Sequence, residues 1–244
     1  MQQIAVLLLA LVTFAGDGSA EDKVHWAYSG EHGPEHWGDL SEAFAACKEG
    51  KSQSPIDIVD PIDVELAPIA LSYRGSTTAV VNNGHTLQTD VGRDNTLEID
   101  GKTFDLLQFH FHSPSEHRID GESFPLEAHF VHRNERGELA VVAILFRLGD
   151  RNRAMATIVA AAPEKAETSK PLDENIASLE IVPENKAHYR YSGSLTTPPC
   201  TEGVLWLVLE SIGSVSREQV ANFVRIIGED ARGPQPLNGR RVVH

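Results

Sequence analysis

The sequence predicts a mainly β fold: a single domain with a large sheet, mostly antiparallel or mixed, and short helices at its periphery. Three observations support this prediction. Apolar and polar residues alternate through residues 107–112 and 126–131. Two longer apolar runs, residues 139–148 and 204–209, have the composition of strands buried on both faces. Turn-forming clusters separate the runs at residues 82–84, 120–121 and 134–137.

The alternation places polar side chains together on one face of each of two strands, because successive side chains of a strand point to opposite sides of a sheet. One face of the first strand carries Gln108, His110 and His112. One face of the second carries Glu127, His129 and Val131. Five of these six side chains are polar, so we expect a polar site inside an otherwise apolar sheet.

Two segments have the signature of helices. Residues 216–227 begin with a capping box, Ser216 with Gln219, and Gly228 follows their end. Residues 152–162 are rich in alanine, the residue with the highest helix propensity. We therefore expect helices at these two places, at the rim of the sheet.

Length and charge restrict the class of protein. The chain has 244 residues, 41% of them hydrophobic and 23% charged, which is an ordinary balance for an ordered globular domain. Its formal net charge of −14 repels nucleic acid and anionic lipid, so neither is an expected partner. No internal repeat or Gly/Ser-rich linker divides the chain.

The first twenty residues resemble a secretory signal peptide. Residues 4–14 are almost wholly apolar and are followed by small residues up to Ala20, although no Lys or Arg precedes them. The alternative is a buried N-terminal helix. We predict a signal peptide at residues 1–20, a mature domain at residues 21–244 without membrane insertion, and a secreted or periplasmic location.

The two cysteines are consistent with export. Cys47 and Cys200 lie far apart and have no metal-binding spacing. Two cysteines in one exported domain often form a disulfide. Two buried free thiols are the alternative.

Three histidines form a candidate metal site. His110 and His112 point the same way from one strand, and His129 could reach the same ion from a neighbouring strand. Three histidines leave a fourth position open, as in catalytic Zn²⁺ sites. The alternative is a set of hydrogen-bonded or surface histidines. Gln108 and Glu127 could accept hydrogen bonds from the outer ring nitrogens, or could simply line a wet groove.

Longer motifs point to a known family. They occupy residues 25–28, 33–37, 53–56, 82–85, 108–112, 115–117, 127–132 and 191–199. In these motifs and their order, residues 21–244 resemble the alpha class of carbonic anhydrases, of the secreted bacterial type. The resemblance implies a twisted sheet of about ten strands. It also implies reversible hydration of CO2 to bicarbonate and a proton by zinc-bound hydroxide.

The resemblance implies a role for each site residue. His110, His112 and His129 would bind Zn²⁺, with Gln108 and Glu127 as their outer partners. Thr196 would donate a hydrogen bond to Glu116 and accept one from the hydroxide, and His85 would be the proton shuttle. Thr196 and Thr197 would contact the substrate polar atoms, and the apolar wall for CO2 would consist of Val131, Val141, Leu195, Val204 and Trp206. Cys47 and Cys200 would form a disulfide.

The sequence departs from the family pattern at three places: Gln88 and Asp230 stand where Asn is common, and Gly233 stands where Pro is usual. We also expect His36 and His117 to be buried and hydrogen-bonded. Two alternative functions remain at this point: a non-catalytic binding module of the same fold, and a zinc esterase activity of the same site. A homodimer also remains open.

Overall fold

The computed structural model describes residues 24–172, 176 and 178–244. The predicted signal peptide, residues 1–20, lies outside the described residues. Helices in the described part are α1 Trp37–Leu40, α2 Ala46–Glu49, α3 Arg153–Ala161 and α4 Arg217–Ile227. The strands are β1 Asp57–Ile58, β2 Ala70–Tyr73, β3 Thr77–Asn82, β4 Leu87–Val91, β5 Asn95–Ile99, β6 Lys102–His112, β7 Arg118–Ile119, β8 Glu122–Ser123, β9 Leu126–Arg133, β10 Leu139–Leu148, β11 Thr168–Pro171, β12 His188–Ser194, β13 Glu202–Leu209 and β14 Gly213–Val215.

One sheet dominates the described residues. It has 11 strands, with the central order β11-β3-β4-β6-β9-β10-β13-β12, and β2, β5 and β14 pair at its sides. Strand β10 runs parallel to β13 and β14, whereas β6, β9 and β10 are joined antiparallel. A small second sheet has the order β1-β7-β8. The predicted mainly β fold with a large mixed sheet is confirmed.

The two faces of the large sheet are buried against different layers. On one face, Phe109, Phe130 and Val142 belong to a large apolar cluster that also includes Met155 of α3 and Phe223 of α4. On the opposite face a second cluster contains the apolar residues nearest to the histidines. The sheet is therefore covered on both faces, and its second face carries the site.

Both predicted helices are present, and each begins at a capping residue. The Asn152 side chain accepts the Met155 N–H at the start of α3, and Ser216 and Gln219 form the complete capping box of α4. Strand β10 agrees less fully with its prediction. Residues 140–146 are buried, whereas Arg147 and Leu148 at its end are exposed.

A disulfide joins Cys47 of α2 to Cys200, 153 residues further along the chain. Cys200 follows β12 and lies in the loop that contains Thr196 and Thr197. The bond therefore ties the N-terminal helices to this loop, and the predicted pairing is confirmed.

Candidate metal centre and its surroundings

The register between β6 and β9 brings the three histidines together. His110 lies directly opposite His129, and His112 lies opposite Glu127. His110 and His112 are two residues apart in one strand, so their rings project from the same face. One ring nitrogen of each histidine lies within 4.8 Å of those of the other two. The histidines that the sequence predicted as a set therefore converge on one point.

Each outer ring nitrogen has its own hydrogen-bond partner. His110 Nδ1 donates to Gln108 Oε1 at 2.9 Å, and His129 Nε2 donates to Glu127 Oε1 at 2.7 Å. Gln108 and Glu127 thus lie where the sequence predicted them. His112 Nδ1 donates to the main-chain carbonyl of Asp230 at 2.7 Å. With the outer nitrogens protonated, the inner nitrogens present lone pairs to the shared space.

Glu127 anchors a wider buried network. Its Oε2 accepts the main-chain N–H groups of Glu116 and His117, both at 2.8 Å, and its Oε1 also accepts from His117 Nδ1 at 2.7 Å. Burial opposes ionisation of this carboxyl, but His117 and His129 hold its pKa well below its usual range. Because Glu127 is a charged acceptor, its bond with His129 is of the strong, charge-assisted kind. His117 is fully buried, as predicted.

Burial lowers the pKa of two of the three histidines. Desolvation, followed by the neighbouring His112, lowers the pKa of His110 well below its usual range. Desolvation also lowers the pKa of His129. At His112 burial acts in the same direction, but the carboxylates of Glu116 and Asp230 outweigh it and raise the pKa. Metal binding requires neutral imidazole, which the pKa values of His110 and His129 favour.

Unpartnered polar atoms collect around His112. Its Nε2 is buried and has no hydrogen-bond partner, and the same holds for Glu116 Oε2, which lies 3.6 Å away. Glu116 Oε2 is also 3.8 Å from His129 Nδ1, while Oε1 accepts the Arg232 main-chain N–H at 2.9 Å. A buried carboxylate oxygen and a buried ring nitrogen without partners are costly. A cation among the three histidines would bind the unpartnered His112 Nε2, so this site fits a metal ion such as Zn²⁺.

Thr196 and Thr197 lie in the loop after β12. Thr196 is buried, and the loop is held by a hydrogen bond from the Cys200 N–H to the Thr197 carbonyl at 2.8 Å. The predicted hydrogen bond from Thr196 to Glu116 is not formed in this structure: Glu116 Oε1 accepts the Arg232 main-chain N–H, and Oε2 has no hydrogen-bond partner.

The predicted apolar wall is a row across three strands. Val131 of β9 lies opposite Val141 of β10, and Val141 lies opposite Trp206 of β13. Val204 belongs to the same apolar cluster, and Leu195 packs against it. Val131 is also opposite Gln108, the partner of His110, so the row adjoins the histidines.

His85 lies in the turn between β3 and β4. Asn83 Oδ1 accepts the N–H groups of His85 and Thr86 at 3.0 and 2.9 Å, which shapes the turn. The half-buried His85 ring stacks on Trp26, with 3.7 Å between the ring centroids. Burial and the neighbouring His25 lower the pKa of His85 from its ordinary value.

The three departures from the family pattern have distinct surroundings. Gln88 lies opposite His110, and its Nε2 donates to Asp90 Oδ1 at 2.7 Å. Gly233 lines a cavity of about 570 Å³ beside the N-terminal segment, where an added Cβ would meet nothing within 4 Å. Asp230 is buried beside His112.

Sequence reasoning missed two residues of the site and misplaced one histidine. Asp230 and Arg232 both bond to site residues through main-chain atoms, which no side-chain pattern could indicate. Their only sequence signal was the departure at Asp230. His36, which we expected to be buried, is exposed. It is the N-cap residue of α1, at the end of a turn, and its side chain makes no capping hydrogen bond.

The fold and the site together define the class: a mainly β protein whose sheet carries three converging histidines that could hold a metal ion. Comparison with known proteins gives the family. A sequence profile described as eukaryotic-type carbonic anhydrase matches residues 32–244. A carbonic anhydrase from Pectobacterium carotovorum is 42% identical over 243 residues, which covers 99% of both chains.

Solved structures of alpha-carbonic anhydrases have a similar fold and sequence. The alpha-carbonic anhydrase of Thermovibrio ammonificans, in complex with the inhibitor sulfanilamide, has a TM-score of 0.89 and 45% sequence identity, covering 91% of this chain and 99% of that one. The alpha-carbonic anhydrase of Photobacterium profundum has a TM-score of 0.87 and 47% identity, covering 90% of this chain and 100% of that one. The chain belongs to the eukaryotic-type, or alpha, carbonic anhydrase family and is an enzyme of that family.

Proposed function

We propose that this chain hydrates CO2 reversibly to bicarbonate and a proton, with Zn²⁺ held by His110, His112 and His129. The observation that carries the proposal is the convergence of three buried or half-buried imidazoles whose outer nitrogens are already occupied. Such rings are oriented before a metal arrives. When bound, Zn²⁺ lowers the pKa of a water molecule to about 7, for which carbonic anhydrase is the standard example.

Glu116 and Thr196 orient the reacting water. Glu116, when ionised, can only accept hydrogen bonds, so a Thr196 hydroxyl that bonds to it must donate its proton there. The Thr196 oxygen is then left as an acceptor for the reacting water, and one lone pair of that water turns toward CO2. The unpartnered Glu116 Oε2 supports this role, because it is a buried acceptor without a donor and lies 3.6 Å from His112 Nε2.

The apolar wall provides the binding surface for CO2. CO2 has no charge and few polar contacts to offer, so it partitions into an apolar surface more readily than bicarbonate does. Val131, Val141 and Trp206 form such a surface beside the histidines, together with Val204 and Leu195. Thr197 adds a polar group at the edge of this apolar wall. An apolar wall that favours the neutral substrate over the charged product also helps product release.

His85 removes the proton. Its position in the β3–β4 turn and its half-exposed ring support transfer from water inside the site to solvent. The imidazole must be neutral to accept a proton, and the lowered pKa keeps it neutral at pH 7. Gln88 lies opposite His110 on the neighbouring strand, and we propose that its side chain bonds to water between the site and His85.

We further propose that the protein is secreted or periplasmic, with residues 1–20 as a signal peptide and residues 21–244 as the mature domain. The Cys47–Cys200 disulfide supports an oxidising compartment. None of the helices in residues 24–172 and 178–244 is long and apolar enough to cross a membrane.

Three measurements on one purified sample test the proposed function. Zinc stoichiometry, CO2 hydration and hydrolysis of an activated ester are measured on the same mature protein. The proposal expects one zinc per chain and CO2 hydration far faster than ester hydrolysis. A chain that holds zinc but hydrolyses only esters would favour the esterase. A chain without zinc or hydration would favour a non-catalytic binding module.

A further inference from the structure

The chain contains two Asn-Gly pairs, Asn83-Gly84 and Asn238-Gly239. Asparagine is a thermolabile residue, and it is most reactive before glycine, because glycine has no Cβ to hinder the approach of its main-chain nitrogen to the asparagine side chain. That nitrogen attacks the side-chain carbon Cγ only when hydrogen bonds hold neither the glycine N–H nor the asparagine amide in place. The two pairs differ in these hydrogen bonds.

Hydrogen bonds hold both reacting groups of the first pair. Asn83 Oδ1 accepts the N–H groups of His85 and Thr86 at 3.0 and 2.9 Å, which fixes the plane of the Asn83 amide. The Gly84 N–H donates to Asn82 Oδ1 at 3.1 Å. Asn82 is itself buried, and its Nδ2 donates to a main-chain carbonyl at 3.0 Å. Attack of the Gly84 nitrogen on Asn83 therefore requires three hydrogen bonds to open.

The second pair is much less restrained. Asn238 and Gly239 are exposed, with φ angles of 51° and 81° in a turn after α4. The Gly239 N–H has no hydrogen-bond partner among the described residues, and a Cβ added to Gly239 would meet no other part of the chain within 4 Å. The Asn238 amide makes one hydrogen bond, from its Nδ2 to the Lys51 carbonyl at 3.1 Å. The Gly239 nitrogen is therefore free to react, and solvent water has access to the product.

We propose that Asn238 is a site of spontaneous deamidation in the folded protein, whereas Asn83 is protected. The Gly239 nitrogen loses its proton to solvent and attacks Asn238 Cγ. The new C–N bond closes a succinimide ring, and the bond from Cγ to the amide nitrogen breaks, so that ammonia leaves with a proton from solvent. Water then opens the ring at either carbonyl, which gives aspartate or isoaspartate. The net reaction consumes one water and releases one ammonia, with no oxidation or reduction.

Deamidation would weaken the attachment of the C-terminal segment. Arg240, two residues after Asn238, donates to the carbonyls of Gln53 and Ser192 at 2.8 and 2.9 Å, so this segment joins two distant parts of the chain. An aspartate has no amide N–H for the Lys51 carbonyl and adds a negative charge beside it. An isoaspartate also adds a carbon atom to the main chain. We therefore expect the modified protein to unfold at a lower urea concentration.

The test follows both asparagines in the purified mature protein during incubation at mildly alkaline pH. Peptide mapping by mass spectrometry measures the replacement of the side-chain NH2 by OH at each position. Each hydrogen bond that must open slows the reaction by roughly 2- to 12-fold, and Asn83 must open two more than Asn238, so Asn238 should be converted at least about tenfold faster. The same incubation in concentrated urea is the control, because unfolding removes these hydrogen bonds and both asparagines should then react at similar rates.

Asn238→Gly is the matched variant, because glycine removes the reactive amide and accepts the positive φ of this turn. Its urea midpoint should stay constant during the incubation, whereas that of wild type should fall as Asn238 is converted. Conversion of Asn83 as fast as Asn238 in the folded protein would overturn the proposal. So would a folded protein in which Asn238 remains unmodified.

Discussion

At the residue scale, the main feature of the site is that each imidazole is held by a different kind of acceptor. His110 uses an amide, His129 a carboxylate and His112 a main-chain carbonyl. All three are oxygen acceptors, so all three rings are held in the tautomer that leaves the inner nitrogen free. The sequence indicated the first two partners because they stand two residues before their histidines.

Thr196→Ala tests the orientation of the reacting water. The variant keeps the three histidines but loses the hydroxyl that joins Glu116 to the water. We expect kcat/KM for CO2 hydration to fall about a hundredfold, the effect of one positioned hydrogen-bonding group. Thr196→Ser retains a hydroxyl and should keep most of the activity. Unchanged hydration in Thr196→Ala, measured by stopped flow at saturating buffer, would rule out the Glu116–Thr196 arrangement.

His85→Ala separates proton removal from attack on CO2. Loss of the shuttle should lower kcat by on the order of a hundredfold. It should leave kcat/KM almost unchanged, because that ratio reports attack before proton release. Imidazole in the buffer should restore much of kcat, whereas His36→Ala, at an exposed histidine, should behave as wild type. Equal losses in kcat and kcat/KM, or no rescue by imidazole, would mean that His85 is not the shuttle.

At the scale of elements, β9 serves the site with one face and the core with the other. His129 and Val131 face the site, while His132 points into the opposite core. His132 Nε2 accepts from the Tyr73 hydroxyl at 2.7 Å, and its Nδ1 donates to the Ala140 carbonyl at 3.3 Å. Both bonds suit a neutral ring. Because side chains alternate along the strand, His129 and His132 lie on opposite faces of the sheet, and their rings have different surroundings.

His132 should make the fold sensitive to acid. Burial lowers its pKa from 6.5 to about 4. The unfolded chain therefore binds a proton more readily than the folded one between these values. The stabilisation is complete above pH 6.5 and is lost as the pH falls to about 4, up to about 3 kcal/mol. Urea unfolding between pH 4 and 8 should show a flatter profile for His132→Gln than for wild type. Parallel profiles would contradict this assignment.

The disulfide should contribute strongly to stability, because it closes a loop of 153 residues. The chain-entropy model gives about 5 kcal/mol for a loop of this length. Reductant should lower the urea midpoint of wild type by the corresponding amount and should have no effect on a Cys47→Ser/Cys200→Ser double variant. After denaturation without reductant, neither cysteine of the mature protein should react with a thiol reagent. Two reactive thiols would contradict the bond.

At the scale of the whole molecule, local sequence patterns predicted the strands and helices. They did not predict which strands pair with each other, because strand pairing depends on contacts between distant parts of the chain. Alternation identified β6 and β9, alanine content identified α3, and the capping box identified α4. Nothing local indicated that β10 pairs antiparallel with β9 but parallel with β13, although that register builds the wall of Val131, Val141 and Trp206. Family motifs supplied this site before the register was known.

Long-range contacts also explain the residues that were missed. The Asp230 carbonyl is 118 positions from His112, and the Arg232 N–H is 116 positions from Glu116. Main-chain atoms carry no residue-type signal, so such partners become visible only when the C-terminal segment is placed against the sheet. His36 is the opposite case. It belongs to a motif of the family, but its predicted burial was wrong, because the motif does not show which residues pack over its side chain.

The central claim is that three histidines hold a zinc ion on which CO2 hydration depends. The most direct test compares wild type with His129→Ala, which removes one ligand and one of the hydrogen-bond donors to Glu127. Zinc content and CO2 hydration are measured on each purified protein. We predict one zinc per chain and rapid hydration in wild type, and little zinc with hydration near the uncatalysed rate in His129→Ala. Equal zinc content and near-normal hydration in the variant would contradict the account.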